Sequence, residues 1–415
     1  MKPEVLYGYR YWKWRVLAGF CVFYGVNYLG RFNFSLIQPQ VIEDLGITAA
    51  DTGFINSCMF WGFALGDLVH GRLGERFGYR RVVLAGALAT AAFNVVASFG
   101  DDIASLAIPW AVVGFVNAAT WAPGIGLIAQ WWSRRERGRA MGWVLTAAGI
   151  ALLLVWVVSP LVAAEWGWRA ALRYPPLLIA VLGVGFWFVA RDRPSDVGLP
   201  PYSEDDQVSR DAETAAQGRT HGFTAYLHLL SNWRFFVACQ VKGLDNVVRY
   251  GIVSWAPVYY AQVGGFDLAT MAWVTFAYPL GYLLAPLTGG SLSDLVFRSN
   301  RSIVVAIAGA ASGVLMLCIA ASPADHALLA AALLFLGGFS VNLSPVAALA
   351  VDLAGRRLAG TASGLLDAHG YVYGALQAWL FGLLAVGSAD GWFWVFVAMA
   401  LSRFVAVGAI WRVRT

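Results

Sequence analysis

At 415 residues the chain is 59% hydrophobic and only 13% charged, with a formal net charge of +5, whereas soluble domains carry roughly 25% charged residues. One soluble core cannot bury so much apolar surface, so the composition excludes a soluble enzyme and points to a bilayer, where each crossing hydrogen-bonds its own backbone as a helix. The surplus Lys and Arg read as loop charge on one side of a membrane, not as a nucleic-acid footprint.

The first residues, to Arg15, are basic and aromatic and lead into a full-length apolar run without a small-residue cleavage site, so no cleaved signal is expected. Twelve runs approach the about 20 residues a span needs. They begin near Arg15, Asp51, Arg80, Ile103, Arg139, Trp168, Trp233, Leu268, Ser302, His326, Ala359 and Trp392. Alternate loops carry the cations: Lys2, Arg10, Lys13 and Arg15 before span one, Arg72, Arg76, Arg80 and Arg81 after span two, Arg134 to Arg139 after span four, and Arg298 and Arg301 after span eight. The other loops hold Glu43, Asp44, Asp101, Asp102, Asp267, Asp325 and Asp390, and only Arg169 and Arg173 break the pattern. Positive loops stay inside, which predicts a bacterial cytoplasmic (inner) membrane protein with both termini cytoplasmic. Cys21, Cys58, Cys239 and Cys318 lie in apolar runs without metal-ligand spacing and are expected to be buried thiols.

A polar stretch near the middle divides the chain into an N-terminal six-helix half (1–190), a cytoplasmic linker (191–231) and a C-terminal six-helix half (232–415). The halves look related. Arg31 in span one is followed eight residues later by Pro39, and Arg249 in span seven eight residues later by Pro257. Gly71 and Glu75, and Gly290 and Asp294, close the second span of each half. Parallel repeats of six helices place a binding site at the midplane between them.

Charges at membrane depth cost about 2.5–3.5 kcal/mol on insertion scales and are functional candidates. Seven such groups stand out: Arg31, Asp67, Lys242, Asp245, Arg249, Asp367 and His369. In span one Tyr24, Asn27, Tyr28 and Arg31 share a face at helical spacing, and in span seven Lys242, Asp245 and Arg249 do the same. A guanidinium offers a planar fork for phosphate or carboxylate and stays protonated when buried. Arg31 and Arg249 are therefore expected to face each other over a water-filled cleft and hold an anion, oriented by Tyr24, Asn27, Tyr28 and Asn246. The alternative is that each arginine pairs with an acid of its own half. Lys242 and Asp245 are expected to neutralise each other. Asp67 reads as an ion-pair partner of Arg31, a proton carrier or a substrate contact. Asp367 and His369, two residues apart, point to opposite sides of their helix, and His369 is a candidate for proton coupling. No nucleophile–base pair, metal-ligand cluster or cofactor motif is present, so neither an enzyme nor a cofactor is expected.

Gly71-Arg72-Leu73-Gly74-Glu75-Arg76-Phe77-Gly78-Tyr79-Arg80-Arg81 resembles the loop signature of the major facilitator superfamily, with Glu75 where Asp is usual. Gly71, Glu75, Arg76 and Arg80, echoed weakly by Asp294, read as a gating latch. Further motifs resemble the organophosphate:phosphate antiporter family. Tyr28-Leu29-Gly30-Arg31-Phe32-Asn33-Phe34 is similar to its span-one site and Arg249-Tyr250-Gly251-Ile252-Val253-Ser254-Trp255-Ala256-Pro257 to its span-seven site. Trp131-Trp132-Ser133-Arg134-Arg135-Glu136-Arg137-Gly138, Val197-Gly198-Leu199-Pro200-Pro201 and Asp294-Leu295-Val296-Phe297-Arg298-Ser299-Asn300-Arg301 are similar to its loops. The resemblance covers nearly the whole chain. It implies an all-α major facilitator fold with twelve transmembrane helices in two pseudo-symmetric halves. It also implies two arginines on a phosphoryl group, and exchange of an organic phosphate for inorganic phosphate by alternating access.

The departures surround the arginines. Phe32 stands where the family usually has Lys, Asp67 aligns with a pocket Lys, Ala148 with a span-five His, and Ser254 and Ala277 with acidic residues. The expected partners are thus a small organic anion, a phosphate ester or phosphonate in the first place, inorganic phosphate or protons as counter-substrate, and the lipid bilayer; the protein is expected to be a monomer. The alternatives are a proton-coupled carrier of a carboxylate, zwitterion or siderophore-like compound, and a transporter-like ligand sensor.

Overall fold

The computed structural model describes residues 3–132, 136–200, 223–296, 301–342, 346, 353, 359–387 and 390–411. The described residues form helices joined by short turns. The N-terminal half comprises α1 (Pro3–Tyr24), α2 (Asn33–Leu45), α3 (Ala49–Phe77), α4 (Tyr79–Ala97), α5 (Ile103–Asn117), α6 (Trp121–Trp131), α7 (Arg137–Trp166), α8 (Trp168–Arg173) and α9 (Leu177–Val189). After α10 (Phe223–Ser231), the C-terminal half comprises α11 (Trp233–Gln262), α12 (Leu268–Val296), α13 (Arg301–Ala321), α14 (Ala327–Asn342), α15 (Ala359–Gly387) and α16 (Gly391–Ile410). Pairing α1 with α2, α5 with α6 and α8 with α9 gives six crossings per half, twelve in all. Seven described helices are long and apolar enough to cross a membrane. The crossings through α1–α2, α3, α11 and α15 carry more polar and charged residues, which lower their hydropathy.

The crossings begin within two residues of the expected positions from span two onward, but α1 starts at Pro3, well before Arg15. Span one also departs from a continuous helix. It breaks into a 3-10 turn, Asn27–Gly30, between α1 and α2. Gly30 permits the break to pack tightly, since a Cβ there would press on Ile179 and Thr90 at 2.8 Å. Turns elsewhere are fixed locally. Thr48 and Asp51 form a capping box at the start of α3. Asp102 caps α5 by accepting from the Ser105 amide at 2.7 Å, and that backbone hydrogen bond holds its carboxyl below the usual carboxylate range.

Arg169 and Arg173, the exceptions to the charge pattern, are locally accounted for. Arg169 bridges Asp44 at 2.7 Å and Asp101 at 2.5 Å, and Arg173 donates to Ser98 at 3.1 Å and lies over Phe99. Of the cysteines, Cys239 is buried, Cys21 and Cys58 are half-buried and Cys318 is exposed on the helix surface; all four are free thiols.

The halves meet along α3–α15, α7–α12 and α2–α11. At the end opposite the loop of residues 71–81, glycines bring α3 and α15 into close backbone approach. A Cβ on Gly53 would collide with the Ala378 carbonyl oxygen, and one on Gly382 would sit 2.7 Å from the Ala49 carbonyl oxygen. Trp156 Nε1 of α7 donates to Thr275 Oγ1 of α12 at 3.1 Å.

Candidate functional site

The break in span one places Arg31 at the molecular centre, with backbone angles of φ −127° and ψ −43° between two helical segments. Its side chain crosses to the other half. Nη2 donates to Tyr371 Oη at 3.0 Å and to Tyr250 Oη at 3.3 Å. The Phe63 ring stacks at 3.9 Å from the guanidinium carbon, Phe32 lies at 4.7 Å and Tyr28 at 5.6 Å. Arg31 is 3% exposed, and its Nε has no hydrogen-bond partner among the described residues. Cation–π contact and two phenol oxygens thus replace its water.

Arg249 of α11 comes from the opposite half. Its guanidinium carbon lies 4.9 Å from the Tyr282 ring centre and 5.2 Å from that of Tyr250. The Tyr250 ring is 5.8 Å from the Arg31 guanidinium carbon, so one phenol ring touches both cations. Among the described residues neither arginine forms an ion pair, which removes the alternative that each is neutralised within its own half. Aromatic side chains close around Arg31, while Arg249, Lys242 and Asp367 on the other side keep partial exposure. Tyr24, Tyr28 and Phe32 meet edge-to-face in succession along span one at 5.9 and 5.0 Å, and Phe32 meets Tyr250 at 6.2 Å.

Asn27 is turned away from this centre. Its amide donates to Asn117 at 3.3 Å and Thr120 at 3.1 Å inside the N-terminal half. The shared face with Tyr24, Tyr28 and Arg31 assumed a continuous helix, and the 3-10 turn changes the angle per residue. Asn246 is buried where α11 crosses Gly370 of α15.

The expected Lys242–Asp245 pair does not form. Asp245 instead pairs with Arg403 of α16, which is fully buried. Lys242 Nζ lies 3.9 Å from Asp367 Oδ1. Helical spacing brings groups of α11 to one side but cannot tell which neighbouring helix will supply a nearer partner. Arg403 is an eighth charge at membrane depth, legible in the sequence as the one cation in the middle of the last span. Asp67 makes no ion pair with Arg31, and its Oδ1 is shut off from solvent without a hydrogen-bond partner among the described residues. His369 Nδ1 donates to the Leu365 carbonyl of its own helix at 2.9 Å, as His70 Nδ1 does to Gly66 at 2.8 Å.

The residue 71–81 loop turns at Gly78, whose φ of 93° favours glycine. The Arg80 amide donates to Asp192 at 2.8 Å, and its guanidinium donates to the Trp187 and Ala190 carbonyls at the end of α9, where a helix C-terminus attracts cations. Glu75 and Arg76 are exposed. A shallow cavity of about 430 Å³ opens here, lined by residues 74–81 with Asp192, Arg193 and Asp196. Gly71 lies beside Ala122. The side chain of Asp294 and residues 133–135 and 297–300, parts of two loop motifs, lie outside the described residues.

Residues 20–376 match the profile described as Major Facilitator Superfamily. The chain belongs to this superfamily. Among other members it is 27% identical to "Membrane sensor protein UhpC" of Salmonella typhimurium, over 91% of this chain and 86% of that protein. It is 25% identical to the "Glycerol-3-phosphate transporter" of Haemophilus influenzae, over 89% and 85%. A solved facilitator, a D-xylose-proton symporter, superposes with a TM-score of 0.73 at 14% identity, covering 97% of this chain and 96% of the other. This facilitator is therefore an integral membrane protein of twelve helices in two halves. Tyr250, Tyr371, Phe63 and Arg403 are the central residues that spacing alone did not single out. Tyr250 adjoins Arg249, while Phe63 and Tyr371 each lie four residues from an acid, Asp67 and Asp367.

Proposed function

We propose that the protein is a secondary transporter that carries a small organic anion, a phosphate ester or phosphonate, across a bacterial cytoplasmic membrane in exchange for inorganic phosphate. Both termini and the residue 71–81 loop then face the cytoplasm. The observation that carries this reading is the pair of guanidiniums without ion-pair partners among the described residues, one from each half, against the same Tyr250 ring. Arg31 holds only neutral phenol oxygens. Charge-assisted bonds to a phosphoryl group are about twice as strong as neutral ones, so an entering anion displaces Tyr250 and Tyr371 rather than an ion pair. Tyr28 and Tyr24 line the approach, and Asn246 stiffens the α11–α15 crossing. The names of the relatives support phosphate esters as the substrate class.

The test is counterflow in proteoliposomes loaded with inorganic phosphate, with labelled glycerol 3-phosphate and glucose 6-phosphate outside. Uptake is expected to depend on internal phosphate. In Arg31→Lys it should fall at least tenfold while the protein remains folded and monodisperse, because an ammonium keeps the charge and loses the fork. Unchanged exchange in that variant removes the two-arginine site. A second reading, a ligand sensor, is favoured by the name of the Salmonella relative; it predicts saturable binding of the same esters with no flux in either direction.

A further inference from the structure

The antiparallel register of α3 and α15 brings two acids together. From the closed end, Ala49 meets Gly382, Gly53 meets Ala378, Phe60 meets Gly374, and the rings of Phe63 and Tyr371 lie 4.5 Å apart. One helical turn further along each helix stand Asp67 and Asp367. The register sets them opposite each other, and Asp67 is within electrostatic reach of both Asp367 and Arg31. We infer that Asp67 and Asp367 form a carboxyl pair that holds one exchangeable proton between the halves, and that this proton is counted with the bound anion.

The surroundings explain why a proton, and not a metal or a second ion pair, suits the site. Asp67 Oδ1 is closed off and unpartnered among the described residues. The neighbouring cations are already engaged. Lys242 of α11 lies 3.9 Å from Asp367 Oδ1, and Arg403 of α16 is held by Asp245. Arg31 faces its two phenols, and Arg249 lies over Tyr250 and Tyr282. On α3 and α15 the histidines His70 and His369 donate to their own helices. Helices α5 and α6 contribute no titratable group. Those of α4 (Tyr79, Arg80, Arg81) and α2 (Glu43, Asp44) sit towards helix ends, away from this depth. Two carboxylates sharing a site do not both ionise readily, and they titrate as a unit.

The charge count gives the proton a use. Four central cations (Arg31, Lys242, Arg249, Arg403) against three anions (Asp67, Asp245, Asp367) leave one net positive charge, 4 − 3 = 1. A proton on the pair raises it to two, the charge that neutralises a phosphate dianion. A dianion therefore enters with a proton drawn from the adjoining water, and a monoanion enters without one. This counting rests on the anion-exchange reading, whereas the carboxyl pair itself rests on the register alone.

Two measurements separate these. Infrared pH titration of the purified, ligand-free full chain should show a protonated-carboxyl stretching band that is lost as the pH is raised. Both Asp67→Asn and Asp367→Asn should lose it. No such band in the wild type, or a band that survives Asp67→Asn, overturns the pair, whatever binds. Calorimetry of glycerol 3-phosphate binding at pH 8, where the ester is a dianion, in buffers of different ionisation enthalpy should show uptake of close to one proton per ester bound. In Asp67→Asn it should be close to none. Binding without proton uptake in the wild type overturns the coupling. Complete failure of phosphate and its esters to bind, with the titrating band present, removes the phosphate reading and upholds the proton site.

Discussion

A charge stripped of water inside a membrane protein persists when a partner replaces the solvent, and Asp245 and Arg403 do this for each other at the α11–α16 contact. Removing one member leaves the other uncompensated, which typically costs about 3–5 kcal/mol. Asp245→Asn is expected to lower the thermal unfolding midpoint of the detergent-purified protein sharply. Adding Arg403→Met should restore most of the loss, and a double variant as unstable as the single one counts against the pairing. Lys242→Met should change stability by no more than roughly 1 kcal/mol, because its contact with Asp367 is long and partly open. The seven charges at membrane depth were legible from the sequence as functional or paired groups. Which partner each takes was not, since Asp245 has Lys242 three residues away on its own helix and yet meets a residue 158 positions further along the chain.

Helices α3 and α15 form the seam that closes the end opposite the residue 71–81 loop, and glycines set how near they come. Gly53 and Gly382 admit the facing carbonyl oxygens directly, as small residues do at membrane helix contacts. Gly53→Leu should leave the helices folded but prevent this closure, reducing exchange at least tenfold and raising the reactivity of a cysteine placed at Trp379 toward a water-soluble thiol reagent. Unaltered reactivity would show that the seam does not depend on the glycine. At this scale the sequence is a good guide to spans, because hydropathy and loop charge follow from the bilayer itself. It fails at span one, where Gly25, Asn27 and Gly30 interrupt the α-helix and turn Asn27 toward Asn117 instead of Arg31.

For the molecule as a whole, transport requires that the contacts now closed at one end come apart while the opposite end closes. Phe54 and Trp379 face each other across the seam with ring centres 6.3 Å apart. With the four native cysteines replaced, Phe54→Cys and Trp379→Cys should be joined readily by a short bis-thiol reagent. The joined protein should lose exchange while retaining anion binding from the loop-bearing side, and a cleavable linker should return exchange. Full exchange in the joined protein would exclude a rocking motion about this site.

The sequence alone determined that the chain is a twelve-span membrane protein with related halves, and that Arg31 and Arg249 stand at matching places in them, because hydrophobic length, loop charge and repeat spacing are written along one chain. Tertiary structure alone decided that Arg31 rests against phenols of the other half, that Asp245 belongs to Arg403, and that the α3–α15 register brings Asp67 and Asp367 to one level. Those outcomes depend on the register between helices distant in sequence, which packing sets and no local pattern encodes.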